Sequence, residues 1–167
     1  MNLMKDDVSM RVAIGRILIR ILPIVYMVFI WIQSSRFNPE SVYSLSGRIP
    51  MEILLILGMC LELAHLFEFG LLYCLLIIAL ISIKPLTRAQ NYLALLFSIS
   101  YAALDEIHQH FVPFRSTSFE DLVKDMIGIL LIWWIVKRTY IDKRSSRVGK
   151  LMTEITHRLG NSHEEKL

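Results

Sequence analysis

The sequence predicts an all-α integral membrane protein, a bundle of four transmembrane helices with a short extra helix or re-entrant segment on its outer side. Three observations predict this class. Hydrophobic residues make up 54% of the chain, above their usual share in soluble domains. They are concentrated in a few long runs. The length of 167 residues allows one domain and a tail. A soluble helical bundle with apolar core helices is the alternative.

The first two spans are predicted from apolar runs in the N-terminal half. The first run gives the span Ile17–Gln33, in which Pro23 is tolerated as a kink. The next run is about 35 residues long, roughly 50 Å as one helix, and therefore exceeds a single crossing. We divide it into a short re-entrant or interfacial helix, Ile49–Leu61, and a second span, Leu63–Ile83.

The third span is predicted from Thr87 or Asn91 to Phe111, and the fourth is Phe119–Val136. Ser118 is well placed as the N-cap of the fourth helix. Residues 1–138 therefore form the membrane domain, and residues 139–167 form a basic tail. A frayed charged tail and an amphipathic helix on the cytoplasmic surface are both open. The apolar face that favours the helix consists of Val148, Leu151, Ile155 and Leu159.

Positive charges are placed unevenly along the chain. The N-terminal stretch, the Lys84–Arg88 connection and the C-terminal tail are basic, whereas the other two connections carry more acids than bases. Under the positive-inside rule both termini lie in the cytoplasm, and the polar connection after the third span lies outside. Anionic lipid headgroups explain the basic tail more simply than nucleic acid, so no nucleic-acid partner is expected.

An acidic seam joins the last two apolar runs, between Tyr101 and Trp134. The uninterrupted apolar parts of the third and fourth spans are about 13 and about 11 residues long, roughly 20 and 16 Å, whereas a crossing needs about 30 Å. Both shortfalls occur at the outer end, so polar residues must complete each crossing or the bilayer must thin there. This predicts a polar chamber that opens outward. Exposed helix ends with ordinary caps are the alternative.

Three spans present ionisable side chains at a similar depth, on faces set by i, i+3 and i, i+4 spacing. Ionisable groups at that depth usually face a bundle interior or a water-filled cavity. Gly128 would let a neighbouring helix approach closely. The side chains concerned are Glu62, His65 and Glu68 on the second span, Asp105, His108 and Gln109 on the third, and Asp121 and Asp125 on the fourth.

This chamber suits chemistry on an anionic lipid headgroup. Arg115, in the connection before the fourth span, can bind a phosphate. Asp105, Glu106 or His65 can act as a general base, which suits transfer or hydrolysis at a phospholipid or polyprenyl-phosphate headgroup. The structural alternative is that Arg115 pairs with Asp121 or Asp105 and joins two helices.

Other kinds of site have weaker support. His65, His108 and His110 with nearby carboxylates could bind a divalent ion, but no spacing matches a known metal motif, so no cofactor is assigned. Cys60 and Cys74 form neither a disulfide framework nor a zinc motif. Four short spans without an inverted repeat disfavour a proton relay or transporter.

The run "DEIHQHFVPFRSTSFEDLVKDMIG" resembles the signature of the VanZ-like family of bacterial membrane proteins. The matching positions are Asp105, Glu106, Gln109, Pro113, Arg115, Asp121, Asp125 and Gly128. The run "HLFEFGLL" is similar to the family's second element, which here consists of His65, Glu68 and Phe69. Ser34 and Ser35 are similar to the family too. The departures are Phe114 where the family usually has Gly, Asp125 where Asn is usual, and Glu62 where Lys is common.

The resemblance implies a role in the cell envelope. The founding member is associated with resistance to the glycopeptide teicoplanin, and the family resembles enzymes that act on lipid headgroups, including phosphatidylserine synthases. We therefore expect a bacterial cytoplasmic-membrane enzyme that acts on a phospholipid or undecaprenyl-linked headgroup at the outer leaflet. The expected catalytic residues are Asp105, Glu106, His65 and Gln109, and the expected substrate-binding residues are Arg115, Glu68, Asp121, Asp125 and His108.

Two non-catalytic alternatives remain open. The same chamber could bind or shield a cell-wall precursor without turnover. The protein could also be a structural partner of another envelope protein, in which case Ile49–Leu61 and the tail would be its important segments.

Overall fold

A computed structural model of the chain describes residues 2–36, 49–113, 118–142 and 147–160. These residues form only helices and the turns between them, so the predicted all-α class is confirmed for the described part of the chain. The α-helices are α1 (Asn2–Arg36), α2 (Met51–Ile81), α3 (Arg88–His110), α4 (Phe119–Val136) and α5 (Arg147–Gly160). A π-helical segment, Lys137–Asp142, follows α4 directly.

Helix α2 is continuous over 31 residues, from Met51 to Ile81. The predicted division into a short outer helix and a separate span was therefore wrong. The physical reason is that no proline lies between Pro50, which caps the helix, and Pro85. The length limit of one crossing does not break a helix, since a long helix can tilt or extend beyond the bilayer.

The starts of α3 and α4 follow from local capping. The Thr87 hydroxyl accepts a hydrogen bond from the backbone N–H of Gln90, and the Gln90 side chain accepts one from the Thr87 backbone N–H, which completes a capping box. The Ser118 hydroxyl accepts a hydrogen bond from the backbone N–H of Asp121 at 3.3 Å. Both helices therefore begin close to where the sequence predicts.

Helix α4 packs against both α2 and α3, and its more extensive contact is with α2. A methyl group added at Gly128 would lie 1.8 Å from the Leu66 carbonyl oxygen. One added at Gly70 would lie 3.0 Å from the Gly128 carbonyl oxygen. The two backbones therefore touch here, as expected for Gly128. This contact sets the depth at which α2 and α4 present their acidic residues to each other.

The burial pattern of α3 is inverted relative to a helix of a soluble protein. Its buried face is largely polar and includes Asn91, Ser98, Asp105, Glu106 and Gln109. Its exposed face carries Tyr92, Leu93, Leu96, Phe97, Leu104 and Ile107. A polar interior with an apolar exterior is the arrangement that a lipid environment favours.

One described helical stretch, Met10–Arg36, is long and apolar enough by itself to cross a membrane. Its 27 residues are mostly exposed, since only 11% of the most apolar window is buried inside the bundle. Shorter apolar stretches lie in α2, at Met51–Cys60 and Leu66–Ile81.

The end of the bundle where α2 stops and α3 starts has its own polar ties. Arg20 of α1 donates to the Ser82 hydroxyl at 3.3 Å and to the Ser82 carbonyl oxygen at 3.0 Å. The Tyr73 hydroxyl donates to the Asn91 side-chain oxygen at 2.5 Å, and both residues are buried. These bonds connect α1 to the end of α2, and α2 to α3.

Candidate functional site

Four carboxyl-bearing residues from three helices lie near the end of the bundle where α3 stops and α4 starts. Asp105, Glu106 and Asp125 are 3%, 7% and 2% exposed, and Glu68 is half-buried. Glu68, Glu106 and Asp105 all act electrostatically on Asp125, as does Asp121. We call Glu68, Asp105, Glu106 and Asp125 the acidic site. The structure thus brings together residues that the sequence analysis assigned to different spans.

Asp105 is held in place by a neighbour on its own helix. The Gln109 side-chain nitrogen donates to the Asp105 Oδ2 atom at 2.8 Å, one turn further along α3, and Gln109 is 6% exposed. A hydrogen bond to a carboxylate restricts its rotamer and favours one orientation. Gln109, which was grouped with the predicted catalytic residues as one that orients them, is therefore placed to orient Asp105.

Glu106 joins the end of α3 to the start of α4. Its Oε1 atom accepts a hydrogen bond from the backbone N–H of Ser118, the N-cap residue of α4. The unsatisfied N–H groups and the dipole of a helix N-terminus favour a negative charge. Glu106 was predicted as a catalytic residue, and the structure gives it an additional anchoring contact.

The α2 side of the acidic site is positioned by the Leu66–Gly128 backbone contact. The Tyr26 hydroxyl of α1 donates to the Glu68 carbonyl oxygen at 3.2 Å, so α1 supports the same turn of α2. His65 and Glu62 lie on this part of α2, but their side chains lie outside the described set. The predicted phosphate ligand, Arg115, also lies outside the described residues.

His108 faces α1 rather than the centre of the acidic site. Its Nε2 atom lies 2.8 Å from the Ser35 hydroxyl oxygen. Its ring stacks on Trp31, with ring centroids 3.8 Å apart and planes 18° apart. His110 is exposed and packs edge-on against Phe111. Asp105, His108 and Gln109 were predicted to share one face of the helix. The contacts with Ser35 and Trp31 instead place His108 at the edge of the site.

Asp121 also lies at the edge, where it forms an ion pair with Lys124 at 3.0 Å. Each side chain is 28% exposed, so solvent screens this pair. The sequence offered Arg115 as a possible partner of Asp121, and Arg115 lies outside the described residues. The i, i+3 spacing was the available signal for the pair with Lys124.

Among the side chains that the structure describes, no three His, Cys, Asp or Glu residues are grouped so that they could hold a metal ion. His65 is not among those side chains. The described site is built from carboxyl groups, one amide and helix N–H groups. Carboxyl groups that share a site can serve as acid and base in the same reaction, because one can hold the proton that another lacks.

The contribution of α1 to this end of the bundle was not predicted from the sequence. Ser35, Trp31 and Tyr26 all contact the part of the bundle that carries the acidic site. The Tyr101 hydroxyl of α3 also donates to the Met27 carbonyl oxygen at 2.8 Å. The pair Ser34–Ser35, noted only for its resemblance to a family pattern, was the available signal.

A helical bundle with many exposed large apolar side chains and a buried acidic site is typical of membrane-associated proteins. Comparison with protein families specifies the class further, because the VanZ/LLP1 family model matches residues 11–140. The chain belongs to the VanZ/LLP1 family, which is membrane-associated. The matched region ends inside the π-helical segment and leaves α5 out. Comparisons with curated proteins and with solved structures yield no match.

Proposed function

We propose that this VanZ/LLP1-family protein is a membrane enzyme that acts on the phosphate-bearing headgroup of a phospholipid or an undecaprenyl-linked lipid at the outer leaflet. The observation that carries the proposal is the burial of Asp105, Glu106 and Asp125 together at one end of the bundle. Buried ionisable groups in a membrane bundle are costly and usually mark a functional site.

The proposal includes four crossings, with both termini in the cytoplasm of a bacterium. Helices α2, α3 and α4 each expose large apolar side chains, which suits contact with lipid on all sides. Lys84 and Arg88 lie at the end of the bundle opposite the acidic site, and Lys137 and Arg138 follow α4 at that same end. The positive-inside rule therefore supports an outward-facing acidic site.

Aromatic residues beside those basic residues support the same orientation. The Lys137 Nζ atom lies 5.0 Å from the centroid of the Trp133 ring. The Arg138 guanidinium lies 5.3 Å from the centroid of the Trp134 ring. Tryptophan with lysine or arginine is typical of the membrane–water interface, where the aromatic ring and the charge each meet a suitable environment.

The proposed chemistry divides the roles among the site residues. Arg115 holds the lipid phosphate through paired N–H donors. Asp105 and His65 transfer protons, and Gln109 keeps Asp105 in one orientation. Glu106 contributes as a proton-transfer group and as the anchor of α4. Glu68 and Asp125 complete the acidic site and bind the substrate there, and His108 and Asp121 bind it at the edge of the site.

Lipid analysis of host membranes tests this function. We expect a headgroup or lipid-carrier species to change when the wild-type protein is present and to remain unchanged with Asp105→Asn or Arg115→Ala. Glu120→Gln is the matched control, because Glu120 is an exposed acid in the first turn of α4. Full turnover by folded Asp105→Asn and Arg115→Ala would overturn the assignment.

The same strains separate turnover from binding. The protein could change teicoplanin susceptibility while lipid composition stays the same. That result would favour a protein that binds or shields a cell-wall precursor. An enzyme must change lipid composition, because turnover consumes one species and produces another.

A further inference from the structure

The last turn of α1 meets the last turns of α3 at a serine–histidine contact outside the acidic site. The Ser35 hydroxyl oxygen lies 2.8 Å from His108 Nε2. Ser35 is exposed, so a substrate can reach its oxygen. The stacked Trp31 ring fixes the plane of the imidazole, which restricts how His108 can rotate relative to Ser35. An alcohol within hydrogen-bond distance of an oriented imidazole is the arrangement of an activated nucleophile.

We propose that Ser35 is a nucleophile activated by His108, and that it attacks the phosphorus atom of a lipid phosphodiester. The substrate class in this proposal rests on the proposed function, whereas the nucleophile rests on the geometry of Ser35 and His108. His108 is next to Gln109 in sequence and one helical turn from Asp105. A headgroup bound at the acidic site therefore lies beside this pair.

The serine proton has two acceptors within reach. The Ser35 hydroxyl can donate to the Trp31 carbonyl oxygen at 2.7 Å, one turn back along α1. In that state His108 Nε2 carries a proton and donates it to Ser35. In the other tautomer Nε2 is bare, and a rotation about the Cβ–Oγ bond of Ser35 directs the hydroxyl proton to it. Only the second state activates Ser35, so the Trp31 carbonyl holds the resting state.

The covalent step balances as follows. The Ser35 oxygen forms a bond to phosphorus, and the hydroxyl proton passes to His108 Nε2. The bond between phosphorus and the leaving alcohol's oxygen breaks, and His108 returns its proton to that oxygen. Water or an acceptor alcohol then attacks phosphorus, releases the Ser35 oxygen and restores its proton through His108. Water or the acceptor alcohol is the second substrate, and no oxidant or reductant is needed.

The neighbouring residue provides a matched control. Ser34 is 3% exposed, and its hydroxyl oxygen has no hydrogen-bond partner among the described residues. Ser34→Ala therefore removes a hydroxyl from the same turn of α1 without removing a contact to His108. A purely structural role for Ser35, as a tie between α1 and α3, predicts lost stability in Ser35→Ala but no chemical reactivity in the wild type.

The test uses a long-chain alkyl fluorophosphonate on the full-length protein in detergent, followed by intact-mass and peptide-mass analysis. This probe loses fluoride when an activated serine attacks its phosphorus. We expect one adduct on Ser35 in the wild type and in Ser34→Ala, and none in Ser35→Ala. His108→Gln should slow labelling by about 100-fold, because general-base catalysis typically contributes at least that factor.

Three outcomes would overturn the inference: no adduct on folded wild-type protein, an adduct on another residue only, or equal labelling rates in the wild type and His108→Gln. Circular dichroism of each variant checks that it is folded. The labelling result is independent of the lipid analysis. A Ser35 adduct without any lipid change would support the nucleophile and reject the proposed substrate, whereas lipid turnover without an adduct would reject the nucleophile alone.

Discussion

A single methyl group at Gly128 should separate α2 from α4 and disable the acidic site. The added carbon in Gly128→Ala would lie 1.8 Å from the Leu66 carbonyl oxygen, whereas ordinary contact begins at 3.4 Å. Both groups belong to helix backbones, so no side-chain rotation relieves the overlap. The helices must move apart by roughly 1.5 Å, and a close-packed interface does not tolerate this without loss of contacts. We expect a cost at the upper end of the range for overpacking, about 3 kcal/mol.

The same movement should affect function, because Glu68 follows Leu66 by two residues and Asp125 precedes Gly128 by three. Thermal unfolding in detergent measures the stability change, and lipid turnover measures the loss of site geometry. Gly58→Ala is the matched control on α2, because nothing lies within 4 Å of its added carbon. That control should be neutral or stabilising by about 0.5–1 kcal/mol, since alanine favours a helix. A Gly128→Ala protein as stable and active as Gly58→Ala would refute the reasoning.

Three further substitutions test individual contacts. Gln109→Leu removes the hydrogen bond to Asp105 and should lower turnover, with a stability cost of about 1.5–3 kcal/mol because the acceptor is a carboxyl group. Tyr73→Phe removes the 2.5 Å hydrogen bond to buried Asn91 and should destabilise the protein by about 1–3 kcal/mol in thermal unfolding. Ser118→Ala removes the N-cap of α4 and should cost about 1 kcal/mol, measured by the same unfolding assay, with turnover largely kept.

Each of these substitutions has a control or a contrary result. Unchanged turnover in Gln109→Leu would show that Asp105 needs no orienting partner. Tyr92→Phe removes a hydroxyl from a half-exposed ring and should be nearly neutral, so equal effects of Tyr92→Phe and Tyr73→Phe would contradict the buried hydrogen bond. Ser118→Ala keeps the backbone N–H that donates a hydrogen bond to Glu106. A complete loss of folding would therefore contradict a simple capping role.

The limits of α3 and α4 could be predicted from the sequence because the signals that set them are local. Thr87 and Ser118 cap their helices through backbone N–H groups three residues away. The grouping of Asp105 with Gln109 likewise follows from one turn of helix. The family match could also be anticipated, because its residues lie in two short runs.

The continuity of α2 could not be predicted from the length of one membrane crossing. The 49–83 region exceeds that length, but between Pro50 and Pro85 no residue ends a helix as a proline would. The structure shows that the local helix preference prevails, since Gly58 and Gly70 are both accommodated within the helix.

The amino-acid sequence by itself determined the helical class, the caps of α3 and α4, and the presence of acids near the end of an apolar bundle, because these depend on composition and on contacts within a few residues. The tertiary structure alone decided which partners those residues meet. Ser35 and His108 are 73 positions apart, and Leu66 and Gly128 touch through their backbones. Such contacts depend on how helices cross and how closely they approach, and no periodicity within one helix specifies that geometry.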